Sequence, residues 1–200
     1  MRARSASISV SVKSKVLDYA QLTKMRLAWL VVLSALTGYF FALDMAYINW
    51  VQIFILILGG FMVTGSSNAF NQIIEKDLDK LMNRTSDRPL PDGRMEVNEA
   101  FWVASILGVF GVALLWIGLN PLSGILGLLA LFLYVAIYTP LKRVGPIAVF
   151  VGAFPGAIPP MLGYVAATNE FGLIPGLLFA TQFIWQFPHF WAIAWKADSD

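Results

Sequence analysis

The sequence predicts an all-α polytopic membrane protein, a helical bundle of about six spans, and three observations carry that reading. Of its residues 58% are hydrophobic and only 13% are charged, with a mean hydropathy of +0.70; a soluble domain carries about twice that charge fraction. Five stretches (27–43, 45–74, 100–141, 144–169 and 171–195) contain no Asp, Glu, Lys or Arg, and a spanning helix needs about 20 mostly apolar residues. All 14 Lys and Arg residues fall before the first span, between the second and third, between the fourth and fifth, or after the sixth, while the alternate loops hold only Asp44 and Glu170.

The elements follow in order. Residues 1–25 contain Ser, Lys and Arg but no apolar core, so they read as a disordered cytoplasmic tail and not as a secretory signal. Residues 26–200 form one membrane domain, with spans expected near 27–43 and 48–68. The uncharged run from residue 100 is long enough for two more, 99–118 and 122–139, divided by the turn signal Asn120-Pro121. Spans five and six are expected at 147–167 and 172–194. Six crossings return the chain to its starting side, so every basic residue lies on one face, the cytoplasmic face by the positive-inside rule. With no cysteine, disulfides, thiolate ligands and thiol catalysis are excluded. A net charge of +2 gives no basis for nucleic-acid binding.

Five of the 12 acidic residues, Glu75, Asp77, Asp79, Asp87 and Asp92, gather where the second span reaches that face. The span runs on without a breaker, which predicts a helix to about Met82. Asn71, Glu75 and Asp79 are four apart and drift only about 40° per step, forming a ladder on one helix face. Asn68 and Gln72 flank the stripe; Asp77 projects to the opposite side. Oxygen ligands at membrane depth are costly unless something neutralises them. Hard divalent cations take such ligands, and Mg²⁺ is commonly held by one or two carboxylates plus substrate phosphates. Arg84 and Arg88 follow as planar forks suited to phosphate oxygens. Pro89 and Pro91 then stop the helix, leaving the arginines on a loop able to fold back over the carboxylates. The bland alternative is a solvated helix end. Against it, Asn68, Asn71 and Gln72 extend the polar face into the span, where a solvated cap has no need of them.

Three other constellations admit two readings each. Tyr138, Lys142 and Arg143 end span four on the same face, either as further diphosphate contacts or as ordinary positive anchors with an interfacial tyrosine. Pro155, Pro159 and Pro160, with Gly152 and Gly156, are expected to break or kink span five, as one wall of a cavity or as a packing kink. His189, the only histidine, lies in span six beside Trp185 and Phe190. It reads as an interhelical hydrogen-bonder or as a group for substrate contact or proton handling, among aromatics suited to a prenyl chain, a flat macrocycle or a developing carbocation.

Together these segments resemble the protohaem IX farnesyltransferases (haem O synthases), a branch of the intramembrane prenyltransferase superfamily. The resemblance runs over roughly residues 20–200. It is carried by Asn71-x3-Glu75-x3-Asp79, Met82-Asn83-Arg84-Thr85, Arg88-Pro89-Leu90-Pro91-x-Gly93-Arg94, Tyr138-Thr139-Pro140-Leu141-Lys142-Arg143, Gly156-Ala157-x-Pro159-Pro160 and Trp185-Gln186-x-Pro188-His189-Phe190. Where the wider superfamily has Asp this chain has Gln72 and Glu75, which is similar to the haem branch and unlike the quinone-type enzymes. The resemblance implies that farnesyl diphosphate is ionised and its chain joined to a vinyl group of protohaem IX with water added, giving haem O and diphosphate. It implies Mg²⁺ on Asn71, Glu75 and Asp79, with Asn68 and Asp200 as further candidates. Diphosphate would lie on Arg84, Arg88, Lys142, Arg143 and Tyr138, and haem near His189 and Trp185. The lipid bilayer of the inner membrane, with the active site cytoplasmic, and a haem A synthase partner belong to the same implication. The family has nine spanning helices and a second acidic motif after span six. These 200 residues are therefore expected to form the first two-thirds of that fold, a fragment inactive or nearly so. The rival readings are a prenyltransferase acting on a quinone precursor, and a transporter of a phosphorylated or metal-bound solute.

Overall fold

The structure, a computed structural model, describes residues 12–43 and 48–197; Asp44 and Asp200 lie outside the described residues. It is a bundle of seven helices: α1 (Val12–Leu22), α2 (Met25–Ala42), α3 (Trp50–Asp79), α4 (Val97–Gly118), α5 (Pro121–Leu141), α6 (Ile147–Thr168) and α7 (Leu173–Ala197). Helices α2 to α6 are each long and apolar enough to cross a membrane. Helix α7, 25 residues long, forms where the sixth span is expected but falls short on apolarity, with Gln182, Gln186 and His189 in its sequence.

The expected disordered tail needs correction. Residues 12–22 form α1, which packs on the bundle because its apolar side has partners. Leu22 is buried in a cluster with Ala69, Leu90, Met95, Ala100 and Ala104. Lys15 Nζ donates to both Glu99 carboxylate oxygens at 2.9 Å, Tyr19 Oη donates to Glu99 Oε1 at 2.7 Å, and Arg94 Nε donates to Asp18 Oδ1 at 2.9 Å. These bonds tie α1 to the first turn of α4, through Glu99, and to the segment between α3 and α4, through Arg94.

Helix starts follow from capping chemistry. The Asn49 side chain accepts from the Val51 and Gln52 amides before α3, and Asn120 accepts from the Ser123 amide at 2.9 Å ahead of Pro121. Helices α2 and α6 approach until backbone meets backbone: a Cβ on Gly38 would collide with the Pro160 carbonyl, and one on Gly163 with the Ala35 carbonyl. Of the expected break or kink at Pro155, Pro159 and Pro160, the break does not occur: helix α6 is continuous through all three. Pro160 has no N–H to give the Gly156 carbonyl; Gln186 of α7 supplies it instead, its Nε2 donating at 3.1 Å. Near its end α5 widens into a π-helical turn over Leu133–Tyr138. There the Thr139 hydroxyl donates to the Tyr134 carbonyl at 2.8 Å, just ahead of the donor-less Pro140.

Candidate active site

Helix α3 ends at Asp79, three residues earlier than expected, and its last turns carry the ladder inward. Asn71 and Asp79 are buried and Glu75 is largely so. Each meets a cation from a different segment. Lys24 Nζ donates to Asn71 Oδ1 at 3.1 Å, Lys142 Nζ to Glu75 Oε1 at 2.9 Å, and Arg88 Nη1 to Asp79 Oδ2 at 2.6 Å. Three cations face two carboxylates, an excess of one positive charge that favours an anion.

Local structure explains how each cation arrives. After Asp79 the chain coils through a series of turns. The Thr85 hydroxyl donates to the Asp79 carbonyl, the Arg88 amide to the Thr85 carbonyl, and Met95 closes back on the Pro89 carbonyl. Leu90 and Met95 anchor this segment in the core, and Gly93 takes the left-handed turn at φ 78°. Arg88 is thereby folded over Asp79, as the Pro-rich loop suggests, whereas Arg84 lies exposed on the same coil. At the end of α5, the π turn presents Thr139 to α3, where the Asn71 amide donates to its hydroxyl at 3.3 Å. One turn on, Lys142 reaches Glu75 and lies 4.9 Å over the Tyr138 ring, while Arg143 donates to the Ile74 carbonyl.

Lys24 is the residue that the sequence reading missed. It lies between α1 and α2 in a left-handed conformation, φ 48° and ψ 56°, a position where glycine is favoured and another residue costs on the order of 1–2 kcal/mol. Burial pushes its ammonium down to about 8, and Arg88 and Lys142 act in the same direction against Glu75 and Asp79. In sequence it is one more positive residue ahead of a span; the signal was its place next to a helix end that the tail reading did not contain.

Beside the ladder lies a cavity of about 450 Å³, lined by Ser67 and Asn68 of α3 and by Tyr134, Tyr138, Pro155 and Pro159. Trp185, Gln186, His189 and Phe190 edge it from α7. Tyr138 packs against Tyr134 and Phe190, with ring centroids 5.2 Å and 5.9 Å away. Gln186 is committed to the Gly156 carbonyl, and His189 is exposed at the rim.

The donor set suits Mg²⁺: Asn71, Glu75 and Asp79 are hard oxygen ligands on one face, and two carboxylates are the protein's usual share when phosphate completes the shell. Among the described residues no group of three or more Asp, Glu, His or Cys side chains gathers. Asp77 is exposed beside Lys80. The Asn68 amide is turned to the Thr23 carbonyl at 3.0 Å.

Comparison with known proteins bears on this arrangement. Residues 31–200 match the UbiA prenyltransferase family. The protohaem IX farnesyltransferase of Christiangramia forsetii is 54% identical over 183 residues, covering 92% of this chain and 60% of that protein. Its counterpart in Flavobacterium psychrophilum is 52% identical over 190 residues, covering 94% and 63%. The chain thus spans about three-fifths of the length of these relatives. Among solved structures, a digeranylgeranylglyceryl phosphate synthase superposes with a TM-score of 0.74 at 20% identity, over 84% of this chain and 58% of that one. A UbiA homologue from Archaeoglobus fulgidus bound to GPP and Mg²⁺ gives 0.70 at 17% identity, over 86% and 62%. These likenesses establish a shared fold.

Proposed function

The chain belongs to the UbiA prenyltransferase family, and from that premise we propose that it carries the prenyl-diphosphate site of an enzyme that farnesylates protohaem IX to haem O. The observation that supports this most is the meeting of Lys24, Arg88 and Lys142 on one oxygen ladder, with Lys142 over the ring of Tyr138, which lines the neighbouring aromatic cavity. The names and identities of the bacterial relatives support haem as the acceptor.

Mg²⁺ bound by Asn71, Glu75 and Asp79 would offset the charge of the diphosphate. The chain's own cations do the rest. Lys24, Arg88 and Lys142 turn from their present acceptors to the diphosphate oxygens, where Arg88 offers a fork and the lysines point charges. The allylic C–O bond breaks and its electron pair leaves with diphosphate, so charge develops where these donors converge and the barrier falls. The farnesyl chain lies in the apolar cavity, which keeps bulk water from the cation, while the Tyr134 and Tyr138 rings offer π faces to it. A haem vinyl carbon then bonds to the farnesyl C1, and water adds to the resulting cation with loss of a proton. His189 and Trp185, at the rim, contact the haem; Arg84 and Arg143 attract the diphosphate from the exposed side. The protein is multi-pass, and by its basic face this site lies on the cytoplasmic side of the inner membrane, with a haem A synthase taking up the product.

Two measurements test the proposal. The 200-residue chain in nanodiscs should bind farnesyl diphosphate with Mg²⁺ and release it to inorganic diphosphate. A chimaera continued by the C-terminal part of the Christiangramia forsetii relative should convert protohaem IX to haem O, read by mass. Absence of Mg²⁺-dependent binding would overturn the site. Transfer to an aromatic quinone precursor but not to haem would overturn the acceptor.

A further inference from the structure

Three hydrogen bonds at the junction of α1 and α2 take no part in the chemistry above. Gln72 Nε2 donates to the carbonyls of both Gln21 and Leu22, each at 2.9 Å, and Asn68 Nδ2 donates to the Thr23 carbonyl at 3.0 Å. Three consecutive carbonyls at the end of α1 are thus held from α3 by carboxamide N–H groups. A helix end leaves its last carbonyls without donors, and the usual remedy places glycine in the left-handed position beyond it. Here α3 adds donors to those carbonyls, that of Gln21 accepting also from the Lys24 amide at 3.2 Å, and a lysine occupies the left-handed position with its Nζ on Asn71.

The direction of the Gln72 amide is fixed by its partners. Turned over, its oxygen would face two carbonyl oxygens. As it stands, Oε1 is buried without a hydrogen-bond partner, an arrangement that leaves an acceptor unsatisfied so that both donor bonds are made. A carboxylate at 72 has no N–H to give and would set negative oxygens against those carbonyls. This accounts for an amide at a position next to the acidic ladder.

We infer that Gln72, together with Asn68, is a positioning residue whose amide holds the left-handed turn that brings Lys24 onto Asn71. Gln72 acts through Lys24 and is not itself a metal ligand. Its consequence for diphosphate binding rests on the function proposed above; its effect on Lys24 does not.

The test uses the full chain in detergent with Gln72→Glu, Asn68→Asp, Lys24→Ala and the double variant Gln72→Glu/Lys24→Ala. One readout is acylation of the Lys24 amine by a water-soluble ester, quantified by peptide mass spectrometry. The other is binding of inorganic diphosphate in the presence of Mg²⁺. Gln72→Glu, and more weakly Asn68→Asp, should raise Lys24 labelling several-fold and weaken diphosphate binding about tenfold, the worth of one charge-assisted hydrogen bond. In the Lys24→Ala background Gln72→Glu should weaken binding no further, whereas a purely structural role would add its own loss. Unchanged Lys24 labelling in both single variants, or losses that multiply in the double variant, would overturn the inference. If Gln72→Glu does not fold, Asn68→Asp, which removes one donor at constant size, carries both readouts. Failure of the wild-type chain to bind diphosphate would sink the proposed function, while the labelling would still decide the role of Gln72.

Discussion

The Asp79–Arg88 pair offers the sharpest test of how the ladder is stabilised. The Asp79 side chain is only 2% exposed, that of Arg88 is 17% exposed, and their closest atoms are 2.6 Å apart. Arg88→Ala removes the counter-ion and leaves a buried carboxylate uncompensated, which costs about 3–5 kcal/mol. Asp79→Ala leaves a guanidinium with some access to water, so its cost should be lower, about 1–3 kcal/mol. The double variant lacks both charges and should lie near Asp79→Ala, so the coupling between the two sites should equal the Arg88→Ala cost, about 3–5 kcal/mol. Thr85 bonds the Asp79 carbonyl and not its carboxylate, so the coil survives all three changes. Unfolding in mixed SDS and nonionic micelles, followed by helicity, measures the cycle. Lys80→Ala, which breaks only the exposed pair with Asp77, is the control and should stay within about 0.5 kcal/mol. An Arg88→Ala effect no larger than that control, or strictly additive effects, would refute the reasoning.

Other substitutions report on other parts. In the chimaera, Asp79→Ala or Arg88→Ala should lower turnover by at least about 10²–10³-fold with normal membrane insertion; initial rates of haem O formation check this. Gln186→Leu should strip the Gly156 carbonyl of its donor and cost about 1–3 kcal/mol in the same micelle unfolding assay. Gly163→Ala should cost more than about 1–3 kcal/mol because the new methyl meets main chain that has no rotamer to change; a thermal melt in detergent reads it. Lys24 gives a pH dependence. With its folded value lowered from 10.5 to about 8, the unfolded chain binds more protons between those limits, so stability should rise with pH across that window. Lys24→Met should flatten that rise; an equal slope in both proteins would contradict the assignment.

The spans and the ladder are legible in the sequence because each depends on a short-range period: uncharged length for the spans, a four-residue step for Asn71, Glu75 and Asp79. The features that escaped depend on partners far along the chain. Helix α1 is short, and the residue that seats it, Leu22, is covered by Leu90 and Met95, some 70 residues later. The prolines of α6 read as a break or a kink, and that the helix stays continuous is not legible because the donor that relieves Gly156 is Gln186, 30 positions on. Lys24 is invisible as a site residue until α1 exists, since only its left-handed turn brings the side chain to Asn71. Local pattern located the acceptors, and long-range packing chose which cations meet them.

The seam where Gly38 and Gly163 let α2 and α6 touch has a bearing on how a bulky guest enters. Main chain against main chain has no torsion to relax, so those two helices must shift as a single body. On the other side of α6 the contact with α7 is built largely from phenyl rings, Phe150 and Phe154 against Phe179, Phe183 and Phe187. The terminal torsion of a phenylalanine ring is broad, so this contact has rotational freedom that a main-chain contact lacks. Of the two seams the α6–α7 side is the one able to give, and on the function proposed above the residence time of the farnesyl chain should respond to the size of the side chain at Phe183.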